Sequence, residues 1–507
     1  MTKDIFPSFS KTTSKLTTIF LLGLLGLFVA AQIVFSPIID NFFESFLKSY
    51  VGIEVPNELK RLPFKSILMI WPAILSVFIF IKFIKANMTW LIDNKEKVFV
   101  ASLLLSYHLV GLTGRKVDIS DFVFLVVLFL WLIYIFTNKH YKIIWSYWHL
   151  LLLVLLLSIL LSIVNGDYMS LVFLLRVFKA FTVFFIMVNM IRDRETAIFS
   201  LKIYLSLATF SAVIGIFQEI IFLYSGISYF VAPFIPEANL GYMYEPTFLG
   251  VLIRVPAFTG WYLNLDFILI TALVTGVNLM LYSVFTGKKE RLFLLIALFL
   301  MSICLNLTFS FGSVLVVILA VIVSIFIRWR SLTFYFITIF LFGLLLAFSG
   351  FITDFVEDPK KYIAAQDVAL RMDLLRQGIT GFINQHPFIG NGLMRGGKYI
   401  SDVDGWAVHN NIVLIADELG LLGLFAYAAL FFAAISRQVV SILKLKNEKD
   451  KAVLLSSLIA LISLMTVLQF QSLYLNVFLF MYLGLVDAIR GALSYQVPLE
   501  SNAKSKT

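Results

Sequence analysis

Residues 143–164 read IIWSYWHLLLLVLLLSILLSIV. These 22 residues contain no Asp, Glu, Lys or Arg, and a helix needs about 20 mostly apolar residues to cross the hydrocarbon core of a bilayer. Thirteen further stretches are of the same kind: 16–38, 66–84, 98–114, 119–137, 169–191, 199–224, 264–285, 292–309, 313–328, 332–352, 412–436, 453–470 and 472–489. Together they predict an all-α fold, a polytopic transmembrane helix bundle of about 14 spans. Composition agrees: of 507 residues, 60% are apolar and 14% charged, against about 45–50% and about 25% in soluble domains. The mean hydropathy is +0.95. A water-soluble globule could not bury so many apolar side chains, and disorder is excluded for the same reason.

The net charge of +10 is read as a topology signal. With the N-terminus inside, 25 of the 40 Lys and Arg fall on inner segments or the inner ends of spans, and 13 on outer segments. Both termini are therefore expected in the cytoplasm, and no nucleic-acid partner is implied. Lys3, Lys11 and Lys15 precede the first apolar run, and Val29-Ala30-Ala31 is similar to a signal-peptide cleavage site. The run continues to Ile39, so an uncleaved anchor is expected. The single cysteine, Cys304, forbids an internal disulfide.

The two longest outer loops are about residues 225–263 and 353–411, and loops of that length are commonly functional. In the second, Val368, Met372, Leu375, Ile379 and Phe382 recur at helical spacing, so 364–384 is expected to lie as an amphipathic helix in the membrane interface, stopped by His386-Pro387. This makes the loop an outer-face domain. Gly392 to Lys398 matches the start of a phosphate-binding loop, but Tyr399 stands where a Ser or Thr would hold magnesium, so a nucleotide site is rejected. A glycine-rich turn could still offer N–H groups to a phosphate, although a flexible loop is the plainer reading. Asp402-Val403-Asp404 resembles a short metal-binding motif and is read as a solvated loop. His409 precedes Asn410-Asn411, a good helix cap, which puts an imidazole at the outer mouth of a span, where it can serve as a general base. Asp417 and Glu418 lie inside that span and should face a cavity or partners. Gly420 and Gly423 follow and could loosen the helix or allow close packing. Arg254 stands amid apolar residues at the edge of the other loop. Within the sixth span, Arg176 and Lys179 share a helix face, and pairing with Asp417, Glu418 or Glu219 would offset their cost.

Three segments carry a resemblance. They are His386-Pro387-Phe388-Ile389-Gly390-Asn391-Gly392, then His409-Asn410-Asn411, then Glu418-Leu419-Gly420-Leu421-Leu422-Gly423. They resemble the signature of the O-antigen ligase/polymerase family, with Arg371 as its leading arginine. Arg254-Val255-Pro256 through Asn264 is similar to the family's arginine-led loop before a span. Thr308-Phe309-Ser310-Phe311-Gly312-Ser313 is similar to a family turn, with Phe311 replacing its arginine. The resemblance spans about residues 140–490 in the order of the helices.

It implies transfer of a glycan from undecaprenyl pyrophosphate to a sugar hydroxyl at the outer face of a bacterial plasma membrane. Arg254 and Arg371 would bind the pyrophosphate, His409 would be the catalytic base, and neither metal nor cofactor would be needed. Polymerases of the family take a second lipid-linked repeat unit as acceptor, and ligases take the lipid A core. The extra N-terminal spans favour the polymerase. Membrane lipid, a flippase and a chain-length regulator are the partners that would accompany it. The chain then divides into N-terminal spans (1–139), a transmembrane core (140–352), an outer catalytic loop (353–411), C-terminal spans (412–490) and a cytoplasmic tail (491–507). An alternative of another class is a transporter or flippase with Arg176, Lys179, Asp417 and Glu418 as a mid-membrane site.

Overall fold

A computed structural model describes residues 94–108, 119–137, 141–145, 147–165, 168–225, 244–247, 250–257, 259, 262–329, 363–393, 410–469 and 475–494. Almost all of these belong to one compact unit, Glu96–Thr507. Its described helices are α1 (Lys95–His108), α2 (Ile119–Thr137), α3 (Tyr147–Ile163), α4 (Tyr168–Met190), α5 (Arg194–Ser225), α6 (Tyr262–Leu281), α7 (Lys288–Leu307), α8 (Phe311–Arg328), α9 (Ile363–Asn384), α10 (Asn411–Lys444), α11 (Glu448–Leu468) and α12 (Val477–Ser494). Six of them, α5, α6, α7, α10, α11 and α12, are long and apolar enough to cross a membrane, and α2, α3 and α8 contain shorter apolar helices. The predicted stretches 16–38, 66–84 and 332–352 lie outside the described residues.

The fold is helical as expected, with one departure. Tyr244–Thr247 (β1) pairs antiparallel with Gly250–Ile253 (β2), Tyr244 opposite Ile253. This hairpin lies within the loop 225–263, and it delivers the chain to Arg254.

Helices α6, α11 and α12 form the centre. Helix α11 packs on α6, and α12 packs on α4, α5 and α11. Leu265, Ile270, Leu461, Leu479 and Leu483 are buried there. Helices α4 and α12 touch closely because residue 484 is glycine: a Cβ there would lie 3.0 Å from the Phe184 Cα. By contrast α2, α3, α7 and α8 turn large apolar residues outward, among them Phe129, Leu153, Phe299 and Ile318. An outer ring of this kind suits lipid as the surrounding solvent.

The two ends of the bundle differ in chemistry, and the alternation read from the sequence accounts for the contacts. At the end expected inside, Lys97 pairs with Glu195, Arg194 Nε donates to Asp450 Oδ1 at 2.9 Å, and Lys202 pairs with Glu290 at 2.9 Å. Arg490 Nε donates to Asp487 Oδ1 at 2.8 Å. At the end expected outside, Asn165 meets Gly390, Val255 meets Leu307 and Asn476 meets Asn264. Asp450 is buried while Arg194 keeps some solvent access. Asp450→Asn should therefore lower stability by about 1–2 kcal/mol, read as a reduced melting temperature in detergent. Glu290→Gln, at a more exposed pair, should stay within about 0.5 kcal/mol of the parent.

Candidate functional site

At the end expected outside, α10 is broken. Gly420 has φ 68° and ψ −169°, a region open essentially to glycine alone. The break leaves carbonyls at the end of the first half and N–H groups at the start of the second without intrahelical partners. In a membrane span each such group costs several kcal/mol if left unmade. The segment 386–392 supplies the partners. Leu421 N–H donates to Pro387 O at 2.8 Å, and Leu422 N–H to Phe388 O at 3.3 Å. In the other direction, Asn391 N–H donates to Asp417 O at 2.8 Å and Gly392 N–H to Glu418 O at 3.2 Å. The segment is a hook that fills the gap between two half-helices.

Glycines are required on both sides. A Cβ on Gly390 (φ +79°) would lie 2.1 Å from Glu418 O, and one on Gly420 would lie 2.4 Å from Phe388 C and O. The hook is pinned from a third element by Asn165, whose Nδ2 donates to Gly390 O at 2.9 Å.

For the described start of the glycine-rich turn, Gly390–Leu393, neither reading holds. The N–H groups of Gly390, Asn391 and Gly392 donate to His386 O, Asp417 O and Glu418 O. They close the hook and are not presented to a phosphate. Gly390–Leu393 is also buried, and so not a loose loop. Residues 394–409, with Asp402, Asp404 and His409, lie outside the described residues.

Asp417 is the joint of the assembly. Its Oδ1 accepts from Asn391 Nδ2 at 2.7 Å, and a Cβ on Gly381 would lie 3.1 Å from the same oxygen. One carboxylate thus touches α9, the hook and α10. The chain passes from Gly381, beside Asp417, to Phe388, beside Leu422, and then turns back so that Asn391 again lies beside Asp417. Asn410 caps α10, its side chain accepting from Val413 N–H at 3.1 Å, as the sequence indicates. The amphipathic segment expected at 364–384 is α9, and it ends before His386-Pro387.

Arg254 is half-buried in the extended stretch after β2. Its Nη1 donates to Tyr262 Oη at 3.1 Å, and the guanidinium lies 5.2 Å from the centre of that ring. The stretch is fixed by Val255 N–H donating to Leu307 O at 3.2 Å. Below it, Ser313 Oγ donates to the fully buried Asp266 Oδ2 at 3.0 Å and meets Ser310 Oγ at 2.7 Å. The turn between α7 and α8, where Phe311 replaces the family's arginine, is thus tied to α6. Asp266 escaped the sequence reading because it lies within a span predicted from its apolar content alone.

The charges of the sixth predicted span separate. Arg176 is exposed, whereas Lys179 is buried with its Nζ 5.5 Å from the Tyr107 ring centre and 5.9 Å from that of Phe124. Cation–π contact of this kind offsets part of the cost of burying an ammonium. Glu219 contacts the backbone of Ile253, and Asp417 is engaged by Asn391. The observed partners of Glu219 and Asp417 therefore belong to the two long loop segments.

No curated protein matches the chain. Residues 296–428 match a family model described as O-antigen ligase. That span holds α9, the hook and the break at Gly420, together with Arg371 and His409. Over these residues the chain is similar to the O-antigen ligase family, and the match supports a membrane protein of the ligase/polymerase glycosyltransferase type.

Proposed function

We propose that the protein is a polysaccharide polymerase. It transfers a growing glycan from undecaprenyl pyrophosphate to a hydroxyl of a second lipid-linked repeat unit at the outer face of a bacterial plasma membrane. The observation that carries this reading is the hook at Gly420, which fastens the helix bearing Arg371 to the helix that begins just after His409. Counting about 1.5 Å per residue, Arg371 lies ~15 Å along α9 from Gly381, and Asn410 lies ~10 Å along α10 from Asp417. The reading requires both residues to lie toward the outer end of the bundle. Arg254 is at that end too. Two guanidinium groups suit the pyrophosphate of donor and leaving group, since each can hold two phosphate oxygens at once. With that charge neutralised, no metal is needed, and chelator should leave activity intact. His409 removes the proton from the acceptor hydroxyl, and single displacement inverts the sugar carbon.

The family model's description favours a second reading, ligation of the finished glycan to lipid A core. Deletion of the gene separates the two: single repeat units in place of long chains identify a polymerase, and long chains stranded on the lipid carrier identify a ligase.

The orientation has its own test. Native Cys304 is fully buried and should not react with an impermeant thiol reagent. Ser401→Cys should label in intact cells, and Asn447→Cys should label only after permeabilisation. The reverse pattern would invert the topology and move the proposed site to the cytoplasm.

A further inference from the structure

Two consecutive side chains of α5 hold the stretch that bears Arg254. Glu219 Oε2 accepts from Ile253 N–H at 3.2 Å. Gln218 meets Ala257 twice: its Oε1 accepts from Ala257 N–H at 3.0 Å, and its Nε2 donates to Ala257 O at 3.1 Å. Ala257 has φ 48°, a left-handed conformation in a residue that has a Cβ, which costs about 1 kcal/mol or more. The paired amide of Gln218 offsets that cost. Pro256 has no N–H, so within 253–257 three of the four backbone N–H groups are held from outside the stretch, at 253, 255 and 257.

Both side chains are at least nine-tenths buried, Gln218 at 1% and Glu219 at 3% exposure. Glu219 Oε1 has no hydrogen-bond partner among the described residues. A buried carboxylate with an oxygen left over is a poor way to gain stability, because an apolar side chain of similar size would avoid the desolvation. What the pair does provide is a fixed backbone on either side of Arg254. Bidentate recognition of a phosphate tolerates only about 0.5 Å of misplacement.

We propose that Gln218 and Glu219 are positioning residues that set the Arg254 guanidinium for the donor pyrophosphate. This rests on the reading of Arg254 as a pyrophosphate ligand, and the test separates the two. The affinity of the purified protein for undecaprenyl pyrophosphate is measured in Glu219→Ala, Gln218→Ala, Arg254→Ala and the two double variants with Arg254→Ala. Each single variant should bind about tenfold more weakly or worse, the worth of one charge-assisted hydrogen bond. In the Arg254→Ala background, removal of Glu219 or Gln218 should add nothing, because the group they position is gone. Glu219→Gln should recover most of the affinity, since its amide oxygen can still accept from Ile253 N–H. Gln218→Glu keeps the acceptor, loses the donor and is near-isosteric. It should lose affinity while folding normally, and so reads the same coupling if an alanine variant fails to fold.

Additive losses in the double variants, or unchanged affinity in both Glu219→Ala and Gln218→Glu, would overturn the positioning role and leave the Arg254 reading standing. Unchanged affinity in Arg254→Ala would remove the pyrophosphate reading itself, and the positioning role with it.

Discussion

Alanine at position 420 should destroy the protein's function and destabilise it by about 4 kcal/mol or more, a loss confined to a few mechanisms of which forced backbone clash is one. The added Cβ would stand 2.4 Å from Phe388 C and O and 2.6 Å from Gly390 N. All three are backbone atoms held by hydrogen bonds and cannot swing aside. The φ of 68° with ψ of −169° is closed to alanine even without the hook. If alanine instead straightens α10, Leu421 and Leu422 regain intrahelical partners and the carbonyls of Pro387 and Phe388 lose theirs, so the hook is expelled. Gly390→Ala should behave alike, because its Cβ would meet Glu418 O at 2.1 Å. Gly312→Ala is the control: nothing lies within 4 Å of that Cβ, and a helical alanine in place of glycine should gain about 0.5–1 kcal/mol. Thermal melting in detergent, followed by tryptophan fluorescence, reads all three. A Gly420→Ala protein that melts within a few degrees of the parent would disprove the clamp.

The break was only half legible in the sequence. Glycine within an apolar helical run costs about 1 kcal/mol and is commonly tolerated, so Gly420 and Gly423 suggested looseness without proving a break. Its stabilising partners come from Pro387 and Phe388, more than thirty residues upstream, and no local pattern announces a pairing of that range. Among the described residues, the helices were readable because long apolar runs mark them. Helix ends at 119–137 and 168–190 follow the expected stretches to within a residue. The hairpin 244–253 was not, since YEPTFLGVLI alternates poorly and carries Pro246 in a strand. Asp417 and Glu219 were seen as charges in need of countercharges. Their observed partners are instead an amide side chain and a single backbone N–H, donors that leave no sequence signature. The Gln218-Glu219 pair within the otherwise uncharged run 203–224 was the one available hint of the cradle around Arg254.

The second large effect concerns His409. A sugar hydroxyl is a weak nucleophile at neutral pH, and removing its proton during attack is worth about 10²–10⁴-fold. His409→Ala should lose turnover on that scale while still binding undecaprenyl pyrophosphate, because the arginines that would hold the lipid remain. His409→Gln discriminates between the roles open to an imidazole here. Glutamine can orient a hydroxyl or a phosphate by hydrogen bonds, but it cannot take the proton. The base assignment therefore requires Gln to be nearly as damaging as Ala, and rescue by Gln would make His409 a positioning residue.

Transfer from a pyrophosphate-linked donor through two arginines is most directly tested in proteoliposomes. The purified protein would be given undecaprenyl-pyrophosphate-linked repeat units as the only substrate, with chelator present. The prediction is glycan lengthening in steps of one repeat with release of undecaprenyl pyrophosphate, reduced at least about tenfold in Arg254→Lys and in Arg371→Lys, which keep the charge but lose the planar two-pronged contact. Full lengthening in both lysine variants, or activity that vanishes in chelator and returns with a divalent ion, would contradict it.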